Sequence, residues 1–273
     1  MKYICPSFIY LYDGASENSL DIDEISSYVR NIFKKSVVRV REEFVNFHIQ
    51  KFSNTEKEKI INKLAIELAK TKIRKIDKDI EFEPLTGEIE YEKKKLLDPK
   101  NSSFGILYDG FKLISLFSKL IPYEESSLIC CHIIFTNRFF ATLDEYDHKY
   151  HARVSVYGFP SIISTTGIVE APAKPREFYL KKQMGIDINT LKQEFAGRFI
   201  DYNDSRMTEV MKGYVLQSIF FHMTGDPFCG DKNCRLYNAH WQEEVIQSQL
   251  NNKNEFCEKH MEILRKILLY KKL

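Results

Sequence analysis

The sequence predicts an α/β fold, and three stretches carry that expectation. "YICPSFIYLY" is dense in aromatic and isoleucine residues, "LDIDEISSYVRNIF" has helical apolar spacing, and "KSVVRVREEF" alternates like a strand, so the chain opens on a βαβ unit. Between residues 127 and 172, "SLICCHIIFTNRFFATLDEYDHKYHARVSVYGFPSIISTTGIVEAP" alternates β-branched and aromatic residues and breaks at "DEYDHK" and Gly158, which reads as three strands joined by short turns. "SRMTEVMKGYVLQSIFFHMTG" is a long helix, started by Asp204 or Ser205 and stopped by Gly225.

The elements between these follow in order. "NTEKEKIINKLAIELAKTKI" is a charged helix with Ile60, Leu64, Ile66, Leu68 and Ile73 on an apolar face and Asn54 or Thr55 as cap. Residues 74–103, rich in charge and turn formers around Pro84 and Gly87, read as a loop or peripheral hairpin, and "FGILYDGFKLISLFSKLIP" as a packed helix ending at Pro122. "KPREFYLKKQM" and "NTLKQEFAGRFIDY" are helical connections. The tail "NEFCEKHMEILRKILLYKKL" is an amphipathic helix with Ile263, Leu264, Ile267 and Leu268 toward a core. The expected organisation is an α/β sheet domain over 1–204, followed by a C-terminal subdomain over 205–273.

Composition narrows the function classes. With 44% hydrophobic and 13% aromatic residues the chain can bury a sizeable core, and 40 Lys and Arg against 38 Asp and Glu leave a formal charge of +2. That balance makes a nucleic-acid partner an unfavoured reading, resting on a zinc knuckle and the basic tail "LRKILLYKKL". No apolar run is long enough to span a bilayer, and "MKYICPSFIYLYDG" lacks a basic segment and small-residue cleavage site, so a cytoplasmic protein without membrane contact is expected. In a reducing compartment the six cysteines are thiols or metal ligands rather than disulfides.

Their placement separates the two. Cys130 and Cys131, adjacent on a strand, point to opposite faces and read as buried thiols. Cys229 and Cys234 flank the turn "GDKN", and Cys257 and His260 in "FCEKH" form a second pair about twenty residues on, the arrangement of a tetrahedral structural site for one Zn2+. With all four positions filled by protein, such a site leaves no place for an activated water and supplies stability rather than chemistry.

These residues resemble a known family. Archaemetzincins, zinc peptidases of the metzincin clan, carry HExxHxxGxxH followed directly by Cys-x4-Cys, a Met-turn methionine and a downstream Cys-x2-Cys that completes a second, structural zinc site. Laid over that pattern, "SIFFHMTGDPFCGDKNC" puts Ser218 at the first histidine, Ile219 at the general-base glutamate, His222 at the second histidine, Gly225 at the glycine and Phe228 at the third histidine. Cys229, Cys234 and Cys257 match the structural site, His260 replaces its last cysteine, and Leu236 stands at the Met-turn position. "TNRFFATLDE", "YHARVSVYGFPSIISTTGIVEAPAKPRE" and "CRLYNAHWQEE" are also similar to an archaeal family related to the archaemetzincins. The resemblance implies a metzincin-like mixed twisted sheet with packed helices and a zinc-stabilised C-terminal subdomain. It also implies a degenerate catalytic half, because Ile219 cannot accept a proton and Phe228 cannot bind zinc.

Two function classes follow. The first is a protein that keeps the cleft and the structural zinc without the peptidase chemistry. It would hold an extended peptide or protein ligand along the strand region 132–171, since metzincins bind peptides by adding them to an edge strand. The second is a zinc-dependent hydrolase with a rebuilt metal site from His222, His240 and Glu243, the last two in "AHWQEEV" and on one face if that segment is helical. "DEYDHKYHARV" supplies Asp147, His148 and His151 at a turn that reads as solvated. "STTGIVEAP" lacks the lysine and glycine count of a phosphate loop.

Overall fold

A computed structural model describes residues 4–99, 105–252 and 254–269 of the chain, without the side chains of 268 and 269. Its elements run β1 (Phe8–Gly14), α1 (Ile22–Ile32), β2 (Val37–Arg41), α2 (Phe44–Ile49), α3 (Asn54–Lys70), α4 (Thr86–Leu97), β3 (Leu107–Asp109) and α5 (Gly110–Ser118). They continue through β4 (Cys130–Thr136), β5 (Phe139–Leu143), β6 (Tyr150–Arg153), β7 (Ser155–Val156), β8 (Ser161–Ser164) and α6 (Thr165–Glu170). The remaining helices are α7 (Arg176–Gln183), α8 (Ile188–Glu194), α9 (Met207–Thr224), α10 (Gln242–Gln249) and α11 (Glu258–Leu269).

The main sheet has the order β2-β1-β4-β8-β7. β1 pairs in parallel with β2 and with β4, β4 in parallel with β8, and β7 lies antiparallel on β8 at the edge. The expected βαβ unit is therefore present, with α1 as the crossover between β1 and β2. All seven residues of β4 are buried, as expected of a central parallel strand covered on both faces. A smaller sheet, β3-β5-β6, sits beside it. The stretch read as three strands thus holds five and one short helix. Strands β6 and β7 are interrupted by a single residue, Val154, where the chain passes from one sheet to the other, and no turn signal marks that change.

The two-residue period of the strands sorts the core. Ile9, Leu11, Cys131, Ile133, Phe135 and Ile163 pack toward α1 and α9, while Tyr10, Tyr12, Cys130, Ile134 and Ile162 pack toward α2, α3 and α5. Cys130 and Cys131 divide between the two faces as their adjacency demands. Helix α9 is buried on nearly every side, which explains why its residues show no apolar stripe. It ends at Gly225, whose φ of 78° is the left-handed cap. The same apolar cluster continues into Cys229, Cys234, Leu236, Val245, Phe256 and Leu264, so the core beneath the sheet extends without interruption past residue 204.

Four sequence expectations are corrected, the first being that the stretch expected to be one helix ending at Pro122 opens as strand β3 (Leu107–Asp109) and is helical only over Gly110–Ser118. The cap of α3 is Ser53, in a reciprocal pair with Glu56, rather than Asn54 or Thr55, and the buried face is Ile61, Leu64, Ala65, Leu68 and Ala69, with Ile66 exposed. At the start of α9 the side chain of Asp204 accepts from the backbone N–H of Arg206, and Arg206 occupies the cap position without a side-chain bond. Residues 86–97, expected to be loop or hairpin, form α4. Its buried positions are Glu92, Lys95 and Leu96, so charge stands where the helical pattern calls for apolar residues. In α11, Leu264 and Ile267 are buried as expected, Ile263 is half-buried, and the side chain of Leu268 lies outside the described residues.

Candidate metal centre

Helix α9 delivers the chain to a knuckle that is shaped before any ligand is considered. Past Gly225, the backbone N–H of Cys229 donates to Leu236 O at 2.8 Å and that of Tyr237 to Cys234 O at 2.9 Å, closing the "CGDKNC" turn on itself. Cys257 stands immediately before α11, where its carbonyl accepts from Met261 N at 2.9 Å, and His260 lies in the helix's first turn. Arg235, next to Cys234, pairs with Glu209 of α9 at 2.6 Å and with Glu255 at 2.8 Å, fastening the knuckle both to α9 and to the segment entering α11. The His260 ring meets Phe220 of α9 edge to face at 5.4 Å.

The four donor atoms converge. One atom from each of Cys229, Cys234, Cys257 and His260 lies within 4.8 Å of all the others. The Cys229 and Cys257 sulfurs are 3.7 Å apart, Cys234 Sγ is 3.7 Å from His260 Nδ1, and Cys257 Sγ is 3.1 Å from that same nitrogen. Tetrahedral zinc with ordinary bond lengths separates two thiolates by about 3.8 Å and a thiolate from an imidazole nitrogen by about 3.5 Å. A sulfur separation of 3.7 Å is far outside disulfide length, and all six cysteines are free. The donor set, its spacing and its burial therefore fit one tetrahedral metal ion.

Electrostatics agree. Burial pushes the Cys234 thiol up to about 12, raises Cys229 as well, and lowers His260. Burial thus disfavours free thiolates at Cys229 and Cys234, and a coordinated cation would reverse that preference by holding the thiolate form. The N–H of Asp231 already points at Cys229 Sγ from 3.3 Å, a backbone donor to the charge a thiolate would carry.

The other sequence-picked residues lie apart from this cluster, and among the described residues it is the one metal-competent group of three or more such ligands. His222 donates from Nε2 to Leu128 O at 2.8 Å, and burial lowers its pKa. His240 precedes α10 rather than belonging to it, so it shares no helical face with Glu243, which pairs instead with Arg198 at 2.6 Å. Glu244 accepts the backbone N–H groups of His240 and Trp241. Ser218 and Ile219 are fully buried, Ser218 bonding Tyr214 O one turn back. Phe228 is half-exposed in a groove of about 100 Å³ between the edge strand and α9, together with Tyr157, Gln217 and His240. Tyr157 donates to Gln217 Oε1 at 2.6 Å and contacts the rings of Phe221 and Phe228. Exposed His151 of β6 reaches back to Asp147 in the preceding turn at 2.8 Å, and His148 in that turn has positive φ, so the solvated-turn reading of "DEYDHK" fits the geometry.

Two buried polar groups escaped the sequence reading. On one face of the sheet, Tyr12 O–H lies 2.9 Å from His132 Nδ1, 3.2 Å from His48 Nε2 and 2.8 Å from Arg41, which also grips Glu125 through two nitrogens. Because Glu125 O can only accept, His132 carries its proton on Nε2, so Tyr12 donates to Nδ1 and its oxygen receives His48 and Arg41. At the carboxyl end of the sheet, Glu92 is held by Arg138, Lys72 and Tyr108. The only signals for either were a single imidazole inside the apolar strand "CCHIIF" and a single charge between two strands in "TNRFF", whose partners come from distant segments.

Fold and site together define a mixed α/β protein built around a buried helix that ends in a Cys3His metal-competent knuckle. Residues 5–267 match the model of a family described as a probable metallopeptidase family (DUF6775). The chain belongs to that family. No curated protein and no solved structure matches it.

Proposed function

We propose that the Cys3His cluster holds one structural Zn2+, and that the protein binds an extended peptide in the groove beside β7 without cleaving it by the metzincin mechanism. The observation that carries this reading is the convergence of Cys229, Cys234, Cys257 and His260, three of them buried and Cys257 half-buried, at thiolate spacing. Zinc there would supply cohesion to the 205–273 subdomain, because every coordination position is taken by the chain. The topology supports a metzincin-like relationship: a parallel sheet with one antiparallel edge strand, and a long helix running beneath it into the knuckle. The groove between edge strand and helix is there, but it is lined by Tyr157, Gln217 and Phe228, while Ser218 and Ile219 are packed away from it.

The family description favours a second reading, a zinc-dependent hydrolase with a rebuilt site that uses His222, His240 and Glu243. Zinc-loaded protein incubated with a quenched-fluorescent peptide mixture separates the two. The first reading expects amide shifts along Ala152–Tyr157 with no increase in fluorescence. Cleavage that disappears in His222→Ala would establish the second and remove the first.

A further inference from the structure

The carboxyl ends of β1 and β4 face a second cavity that the metal centre does not use. From β1 the chain returns through α1 to β2 on one side, while β4 lies on the other, so the crevice beyond Gly14 and Thr136 is the switch point at which open parallel sheets bind ligands. A cleft of about 440 Å³ opens there, within the size range of small-molecule sites. Lys95 and Arg138 reach it from α4 and from the loop after β4, and both are 6% exposed.

At this cleft one buried cation, Lys95, is left without a direct counter-ion among the described residues. Glu92 accepts from Lys72 at 3.1 Å, from Arg138 Nη1 at 2.6 Å and from Tyr108 at 2.8 Å, which occupies both its oxygens. Glu43 is bound by the N–H of Asn46 at 2.9 Å, and burial raises its pKa. Among the described residues, Lys95 Nζ has no hydrogen-bonded or ion-paired partner. An unpaired ammonium at nine-tenths burial is costly, and burial lowers its pKa to about 7. The mouth carries Glu17 and Glu170, which repel a polyanion but leave room for a ligand with one charged end.

We propose that the cleft binds a small organic anion, a carboxylate or phosphate seated against Lys95 and Arg138 at the switch point between β1 and β4. This site is independent of the zinc and of the groove beside β7. The test titrates the zinc-loaded, isotope-labelled full chain with sodium phosphate and separately with sodium acetate at constant ionic strength, at about pH 6 where the Lys95 amine is charged. Saturable shifts are expected at the amides of Ala15–Glu17 and Asn137–Phe139, and the anion that binds more tightly identifies the headgroup. Lys95→Met should weaken binding about tenfold or more with zinc content unchanged. Ser16→Glu places a negative charge on an exposed lining residue without disturbing α4, so it should weaken binding even if Lys95→Met folds poorly. Shifts no larger than those from chloride, or equal affinity in wild type and Ser16→Glu, would overturn the proposal.

Discussion

At the scale of single residues, the imidazoles of His48 and His132 show how burial sets a pH response. Both are lowered from 6.5 to about 4, by desolvation first, and the Tyr12 network holds them neutral. The unfolded chain takes up protons at these positions as pH falls through 6.5, while the folded chain resists until about 4, so the contribution of these two histidines to stability is constant above 6.5 and declines below it. His48→Phe should flatten part of that decline, measured as the pH dependence of the urea midpoint. The replacement ring fits among Phe44, Phe47 and Tyr12, and Tyr12 O–H keeps His132 and Arg41 as partners. His132 was visible in the sequence only as a polar residue in an apolar strand. Its meaning depended on Tyr12 and Glu125, brought beside it by strand pairing and by the turn before β4.

At the scale of elements, the tightest approach to a glycine among the described residues falls where α9 meets α10. A Cβ at Gly213 would lie 1.9 Å from Gln249 Oε1, and Gln249 is held by its bond to Arg235 O at 2.9 Å, beside the metal knuckle. Gly213→Ala should therefore destabilise by about 1–2 kcal/mol despite the gain in helix propensity, because overpacking outweighs it. Gln249→Ala in the same chain should recover part of that loss, and a double-mutant cycle in urea reads the coupling. Elements whose local pattern agrees with their surroundings were legible: α1 and β2 by spacing, α9 by its glycine cap, and the cysteine pairs by turn chemistry. Helix α4 was not, since Glu92 and Lys95 occupy its buried positions and are tolerated only through Arg138, Lys72 and the cleft. The crossing from β6 to β7 was missed for a related reason, because a strand that changes sheets keeps its alternation and its composition.

At the scale of the whole molecule, one apolar core joins β1, β4, α1 and α9 to the segment that carries the four candidate ligands. Loss of the ion should therefore reach beyond the knuckle. Chelation is expected to lower the melting temperature by about 10 °C or more and to open the chain to protease between Gly225 and His260, while the N-terminal sheet stays protected. His222 should not respond to the same treatment, since it is engaged with Leu128 and stands apart from the cluster. The most direct test is the zinc content per chain of purified wild type, Cys257→Ser and His222→Ala. One zinc is expected in wild type, one in His222→Ala and close to none in Cys257→Ser. Two zinc ions in wild type with one lost in His222→Ala, or undiminished zinc in Cys257→Ser, would contradict that expectation.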